Sequence, residues 1–147
     1  MNTQRNEKGF TLIELIVVVA IMGIIGAALV PQFASMSKRA RMSTDVSTIK
    51  TAQNQIELYY QDYGSWPSGD NADAIISTLT AASYLDSRYL SADGTLLMQQ
   101  KENVDVVWDS AKHKLAYSID DADLFALYNK QDDKDQGWVI NNGAGTP

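Results

Sequence analysis

Side chains able to do chemistry are few in this 147-residue chain and fall in two places. Near the C-terminal end, Asp120, Asp121, Asp123, Asp132, Asp133 and Asp135 form two runs with steps of one or two residues. Hard oxygen donors at such spacing suit Ca2+, and Asp132, Asp133 and Asp135 are the calcium candidates. Asp132-Asp133-Lys134-Asp135 nevertheless lacks the glycine and distal glutamate of an EF-hand loop, and no other cofactor is expected. The single histidine, His113, lies between Lys112 and Lys114 in a turn and reads as a solvated loop residue rather than a base or ligand. Cysteine is absent, which excludes a disulfide framework, a thiol nucleophile, an iron–sulfur cluster and a thiolate zinc site. No nucleophile elbow, P-loop or HExxH helix occurs, so nothing points to an enzyme. The second place is Glu14, the one charge in the run Phe10–Val30, FTLIELIVVVAIMGIIGAALV. A carboxylate inside an apolar helix costs a few kcal/mol in a bilayer and calls for a partner. No cationic side chain follows it within two helical turns.

The elements that position these groups can be read from periodicity. About 20 apolar residues cross a bilayer as a helix, and Phe10–Val30 has no polar stripe that would mark a soluble core helix. The run exceeds the roughly 7–15 residues of a secretory h-region, and no small-x-small cleavage site follows it. Gly23, Gly26 and Pro31 are its weak points, since glycine costs a helix interior about 1 kcal/mol and proline about 3. Pro31 cannot donate to the carbonyl of Ala27, so a kink is expected near Ala27–Pro31. From Gln32 to Tyr63 there is neither proline nor glycine. Met42, Val46, Ile49, Ala52 or Gln53, Ile56, Tyr60 and Tyr63 step by three and four, an amphipathic helix that Tyr63-Gly64 ends ahead of Pro67. A helix from Phe10 to Tyr63 would be roughly 80 Å long, so it needs lipid or a bundle around its first half and a head against its second.

That head starts at Trp66. Asn71 should cap a helix over Ala74–Ala82, with Ile75, Ile76 and Leu79 facing in. Strands are expected at Thr95–Met98, Val104–Trp108 and Leu115–Ile119, the last two joined by a turn at Asp109–Lys114. Leu124–Tyr128 and Trp138–Ile140 read as a second hairpin, with a helix as the alternative for the first. The Gly- and Asn-rich tail Asn141–Pro147 reads as frayed. The fold class is α+β, a long N-terminal helix packed on a small antiparallel sheet. The divisions are 1–9, a leader; 10–30, a membrane-spanning helix; 31–63, an amphipathic continuation; and 64–147, the head. The tyrosines and tryptophans read as filling the helix–sheet core and subunit contacts rather than a sugar-binding face or an electron path. Lys+Arg number 12 and Asp+Glu 18, a net charge of -6. An acidic chain repels phosphate backbones, and no direct nucleic-acid binding is expected.

The junction Lys8-Gly9-Phe10-Thr11-Leu12-Ile13-Glu14-Leu15 closely resembles the class III signal of type IV pilins and the related pseudopilins. The resemblance covers about the first 31 residues and is one of layout beyond them. It implies that a prepilin peptidase cuts after Gly9 on the cytoplasmic side, that the apolar helix is kept, and that Phe10 becomes a methylated N-terminus. Glu14 then takes the family's glutamate at the fifth mature position. Cleavage would remove Lys8, leaving the new α-amino group of Phe10, its own or a neighbour's, as Glu14's partner; a glutamate snorkelling to water is the alternative. Gly23 and Pro31 match the positions bounding the stretch that loses helicity in several assembled pili. Some pseudopilins bind calcium near the chain's C-terminal end.

The function so implied is a structural subunit of a type IV pilus-like filament. It would be a single-pass precursor in the cytoplasmic membrane with its head outside, then an extracellular or periplasmic polymer of identical subunits made by the pilus assembly machinery. The alternatives are a pseudopilin of a type II secretion system, a minor or tip binding subunit, and a single-span anchored binding module. No Asp-Pro-Trp-Gly segment follows the second helix, which leans against a major pseudopilin, and no cysteines close a C-terminal loop. Lys38, Arg39 and Arg41 follow the apolar run, whereas the leader offers Arg5, Lys8 and the initiator amine. The positive-inside rule alone would put the Lys38–Arg41 side in the cytoplasm, opposite to the leader's implication.

Overall fold

The computed structural model describes residues 9–129 and 137–141. Helix α1 (Leu12–Tyr63) runs through Gly23, Gly26 and Pro31 without interruption. The chain divides into two compact units, Met1–Met36 and Ser37–Pro147.

In the first unit the apolar side chains of α1 are exposed, from Leu12 and Ile13 to Val30 and Phe33. Water cannot be the medium for such a surface at rest, because a contiguous apolar face of this size marks a membrane or protein contact.

The second unit is the head. One face of α1 is buried there: Met42, Asp45, Val46, Ile49, Ala52, Gln53 and Ile56. The expected stripe is present up to Ile56 and then turns. Tyr60 and Tyr63, read from the sequence as its continuation, are exposed, and Tyr59 packs against the core in their stead. Tyr60 lies on Trp66 with ring centroids 4.2 Å apart, and Tyr63 on Tyr59 at 4.5 Å. Past Ile56 the neighbours of the helix are aromatic, and Tyr59 also meets the Tyr84 ring at 5.3 Å.

Helix α2 (Ala72–Ala81) begins where Asn71 Oδ1 accepts from the Ala74 N–H at 2.9 Å, and it buries Ala72, Ile75, Ile76 and Leu79. It ends in a Schellman turn: the Tyr84 N–H donates to the Leu79 carbonyl and that of Ser83 to Thr80, with Ser83 at φ 63°. Strands β1 (Val104–Asp109) and β2 (Lys114–Ile119) form the expected hairpin, in register from Val104 opposite Ile119 to Asp109 opposite Lys114. Asp109 Oδ1 takes the Ala111 and Lys112 N–H groups to close the turn, a side-chain device suited to this position.

Two expectations differ from the fold. Thr95–Met98 is not a strand; it makes a single bridge, Leu96 to Leu90, and the N–H groups just beyond it are drawn to a buried carboxylate on α1. The sheet is mixed rather than antiparallel: β3 (Val139–Asn141) pairs with β2 in parallel, giving the order β1-β2-β3. The cause is α3 (Ala122–Asn129), where Leu124–Tyr128 is helical rather than a strand. Asp121 Oδ1 accepts from the Leu124 N–H at 2.7 Å and starts that helix. A hairpin would have returned antiparallel, but a connection carrying a helix crosses over and delivers a parallel strand. Leader residues before Gly9 and the tail beyond Asn141 lie outside the described residues.

Candidate functional site

Gly9 and Phe10 precede α1, and Phe10 is 90% exposed, so the bond between them is sterically open. Glu14 has a partner that charge counting misses. Its Oε2 accepts from both the Thr11 N–H and the Thr11 hydroxyl, each at 2.8 Å. The Glu14 N–H in turn points at Thr11 Oγ1, at 3.3 Å. Thr11 is thus the N-cap of α1 and Glu14 its third residue, a reciprocal capping box that satisfies donors otherwise left bare at a helix start. The signal was present as Thr-x-x-Glu. The same carboxylate lies four residues after Phe10. From Leu12 onward α1 is long and apolar enough to cross a membrane.

The head holds a second, buried constellation. Asp45 is fully buried and accepts from the Gln99 N–H at 2.6 Å, the Gln100 N–H at 2.9 Å and the Tyr117 hydroxyl at 3.1 Å. Eight residues on, Gln53 receives the Leu115 N–H on Oε1 at 2.9 Å and donates from Nε2 to the His113 carbonyl at 3.0 Å. Two polar side chains on one apolar face thereby fix the rotation and height of α1 against the hairpin. The sequence reading passed over Asp45 because it sought apolar residues alone. Its position three after Met42 and four before Ile49 already placed it on the inward face.

Burial pushes the Asp45 carboxyl above its ordinary value of 3.8, against the pull of the Gln99, Gln100 and Tyr117 bonds. Burial first, then the Asp45 charge, likewise pushes the Tyr117 phenol up. A carboxyl whose folded pKa is raised binds its proton more tightly folded than unfolded. Its contribution to stability therefore grows as pH falls through the raised value toward 3.8 and shrinks as pH rises. Asp86, Asp93 and Asp109 are held below their ordinary value by bonds from Arg88, Thr95 and Lys112, and act in the opposite sense as pH falls below 3.8. Thermal melts of the full chain between about pH 4 and 7 should show Asp45→Asn losing a stabilisation that the wild type gains on acidification. Parallel pH profiles for the two proteins would refute this.

The remaining candidates have structural employment. His113 is not simply solvated: it is half-buried and stacked on Trp66, with ring centroids 4.5 Å and planes 9° apart. Asp120 receives the Ser118 hydroxyl, and Asp121 starts α3. The Tyr84 hydroxyl donates to Asp62 at 2.6 Å, a bond that holds this phenol up at about 12. Lys114 lies over the Trp138 ring at 4.0 Å and donates to the Gly137 carbonyl. Among the described residues no group of carboxylates or histidines is arranged to hold a metal, and Asp132, Asp133 and Asp135 lie outside them. The head's clefts are shallow; one of about 300 Å³ beside α2 is lined by Asp73, Ser91, Asp93, Thr95 and Lys101.

Comparison with known proteins follows the same division. The prokaryotic N-terminal methylation motif matches residues 4–30. A fimbrial protein, EcpC, of Eikenella corrodens is 39% identical over 89 residues, 60% of this chain and 58% of that protein. A type IV major pilin, PilE1, of Neisseria gonorrhoeae is 32% identical over 107 residues, 70% of this chain and 47% of that protein. The type II secretion system core protein G of Aeromonas hydrophila is 33% identical over 92 residues, 59% of this chain and 64% of that protein. The chain thus spans about half the length of the relatives it matches. No solved structure matches it.

Proposed function

We propose, for a chain that belongs by its N-terminal segment to the type IV pilin and pseudopilin family, that it is a structural subunit of a type IV pilus-like filament. A prepilin peptidase would release Phe10, the precursor would wait in the cytoplasmic membrane with its head outside, and α1 would then leave lipid for the core of a polymer of identical subunits. One observation carries this reading: a helix start at Thr11–Glu14, with an exposed Gly9–Phe10 bond before it and an exposed apolar helix after it. Head-to-tail packing of this kind does not close on itself and propagates as an open fibre.

Intact-mass measurement of the protein from surface or membrane fractions tests it. The mature chain should begin at Phe10, with or without one methyl group. A surface-exposed chain retaining Met1 would rule out the proposal. The reading of a type II secretion pseudopilin is favoured by the coverage of protein G, the largest share of the three relatives described. Shearing separates the two: a pilus subunit dominates the sheared fraction, whereas a pseudopilus subunit stays with the cell envelope.

A further inference from the structure

We propose that the head binds an extended, lysine- or arginine-bearing segment of another polypeptide as an added strand, in a cleft between two unpaired backbone edges. This goes beyond the filament reading and does not depend on it.

The first edge is β1. The Asp120 N–H donates to the Asn103 carbonyl at 2.9 Å, which sets the alternation along the hairpin. Asp105, Val107 and Asp109 therefore turn their backbone groups to β2, and Val104, Val106 and Trp108 turn theirs outward. β1 is the margin of the sheet, with β2 as its one neighbour among the described residues. The second edge is the segment that the sequence reads as a strand, Thr95–Met98. The Ser91 N–H donates to the Thr95 carbonyl at 2.8 Å and the Leu97 N–H to that of Tyr89 at 2.7 Å, flanking the Leu90–Leu96 bridge. In that pattern the backbone groups of Leu96 point away from Tyr89–Ser91. Neither the Leu96 N–H nor its carbonyl makes a hydrogen bond among the described residues, although Leu96 is only 5% exposed. A buried N–H left without an acceptor is rare in folded proteins.

Both edges border one cleft of about 300 Å³, which Leu96, Met98, Val104 and Val106 line together with Ile76 of α2. A strand laid there pairs through its backbone and alternates its side chains between this apolar floor and the rim. The rim carries Asp73, Asp93 and Asp105, all exposed, against Lys101. The Asp105 carboxylate already takes the Val106 N–H at 2.7 Å, so an incoming strand must draw it aside. A cationic side chain does so, and a neutral or acidic strand does not. The group that guards this edge against copies of an acidic chain is thus the one that recognises a cationic partner.

The probe is a dye-labelled, capped peptide of alternating valine and lysine, titrated onto the full chain in neutral detergent. Binding is read by fluorescence anisotropy and by amide hydrogen exchange. The peptide should bind, and the Leu96 and Val106 N–H groups should gain about tenfold or more protection from exchange. The same peptide N-methylated on alternate residues keeps its charge and loses the ladder, so its affinity should fall by about tenfold or more. Asp105→Lys should lower the affinity of the lysine peptide by about tenfold. Equal binding of the N-methylated peptide would reduce the site to surface charge and overturn the proposal. No binding at millimolar peptide overturns it too, as does a Leu96 N–H already protected in the free chain, since water or the loop itself then fills the slot. The two peptides decide between ladder and charge even if Asp105→Lys fails to fold. A chain that binds the peptide but forms no filaments removes the filament reading and leaves this one intact.

Discussion

Cells carrying Glu14→Ala accumulate processed, membrane-bound subunit and make no filaments: that is the expected result, and Thr11→Val is the control that gives it meaning. Glu14 has two duties, one seen and one proposed. In the intact chain it completes a capping box with Thr11 at 2.8 Å. After cleavage it would neutralise the Phe10 amine of an adjacent subunit as both enter an apolar core. Losing a cap costs about 1 kcal/mol, whereas stranding an amine in a dry core costs several. Thr11→Val removes the hydroxyl half of the box but leaves the carboxylate, so its filament yield should fall by less than about tenfold. Glu14→Ala and Glu14→Gln should lower yield by about a hundredfold or more, since both lose the charge. Filament counts by electron microscopy, with intact mass to confirm processing, read both. If Thr11→Val and Glu14→Ala fail alike, capping is the whole role of Glu14 and amine pairing is wrong.

The second large effect belongs to the head. Asp45→Ala leaves the Gln99 and Gln100 N–H groups and the Tyr117 hydroxyl without their acceptor, the last two in buried surroundings. We expect a loss of about 3–5 kcal/mol, comparable to breaking a buried ionic contact from one side and enough to unfold a small domain at growth temperature. Tyr117→Phe removes one of the three donors and should cost about 1 kcal/mol. Denaturant unfolding of the full chain in detergent, followed by the fluorescence of Trp66, Trp108 and Trp138, measures both. A cost for Asp45→Ala below that of Tyr117→Phe would mean that the loop at Gln99–Gln100 moves to water at no expense.

Much of this was legible because single physical rules governed it. The inward stripe from Met42 to Ile56, the Asn71 cap and the Asp109–Lys114 hairpin each follow from a local pattern, and the structure has all three. The parts that were not legible depend on competition between partners distant in sequence. By pattern alone either Tyr59 or Tyr60 can face inward; in the fold Tyr59 packs against the core while Tyr60 stacks on Trp66. The parallel pairing of β3 follows from α3 becoming a helix, and Leu124–Tyr128 is apolar enough for either state. Asp45 was not picked out because only apolar residues were sought on that face, and for Glu14 only a cationic partner was sought; in the fold backbone N–H groups and a hydroxyl serve each carboxylate.

The Gln53 amide bears on a hazard that any densely polymerised sheet protein faces. β3 covers the edge of β2 only from Tyr117 to Ile119. Earlier on the same edge the Leu115 N–H and the His113 carbonyl would stand open, a template for a foreign strand. Gln53 fills both with one side-chain amide, in effect a peptide unit lent by the helix. On the opposite margin of the sheet the exposed Asp105 carboxylate takes the Val106 N–H, placing charge on a strand edge where an incoming chain would add. With these edge groups occupied, crowded heads have little to offer each other as ribbons. Under the proposed function, subunits held at high density in a membrane would then wait for helix-directed assembly without drifting into amyloid-like stacking.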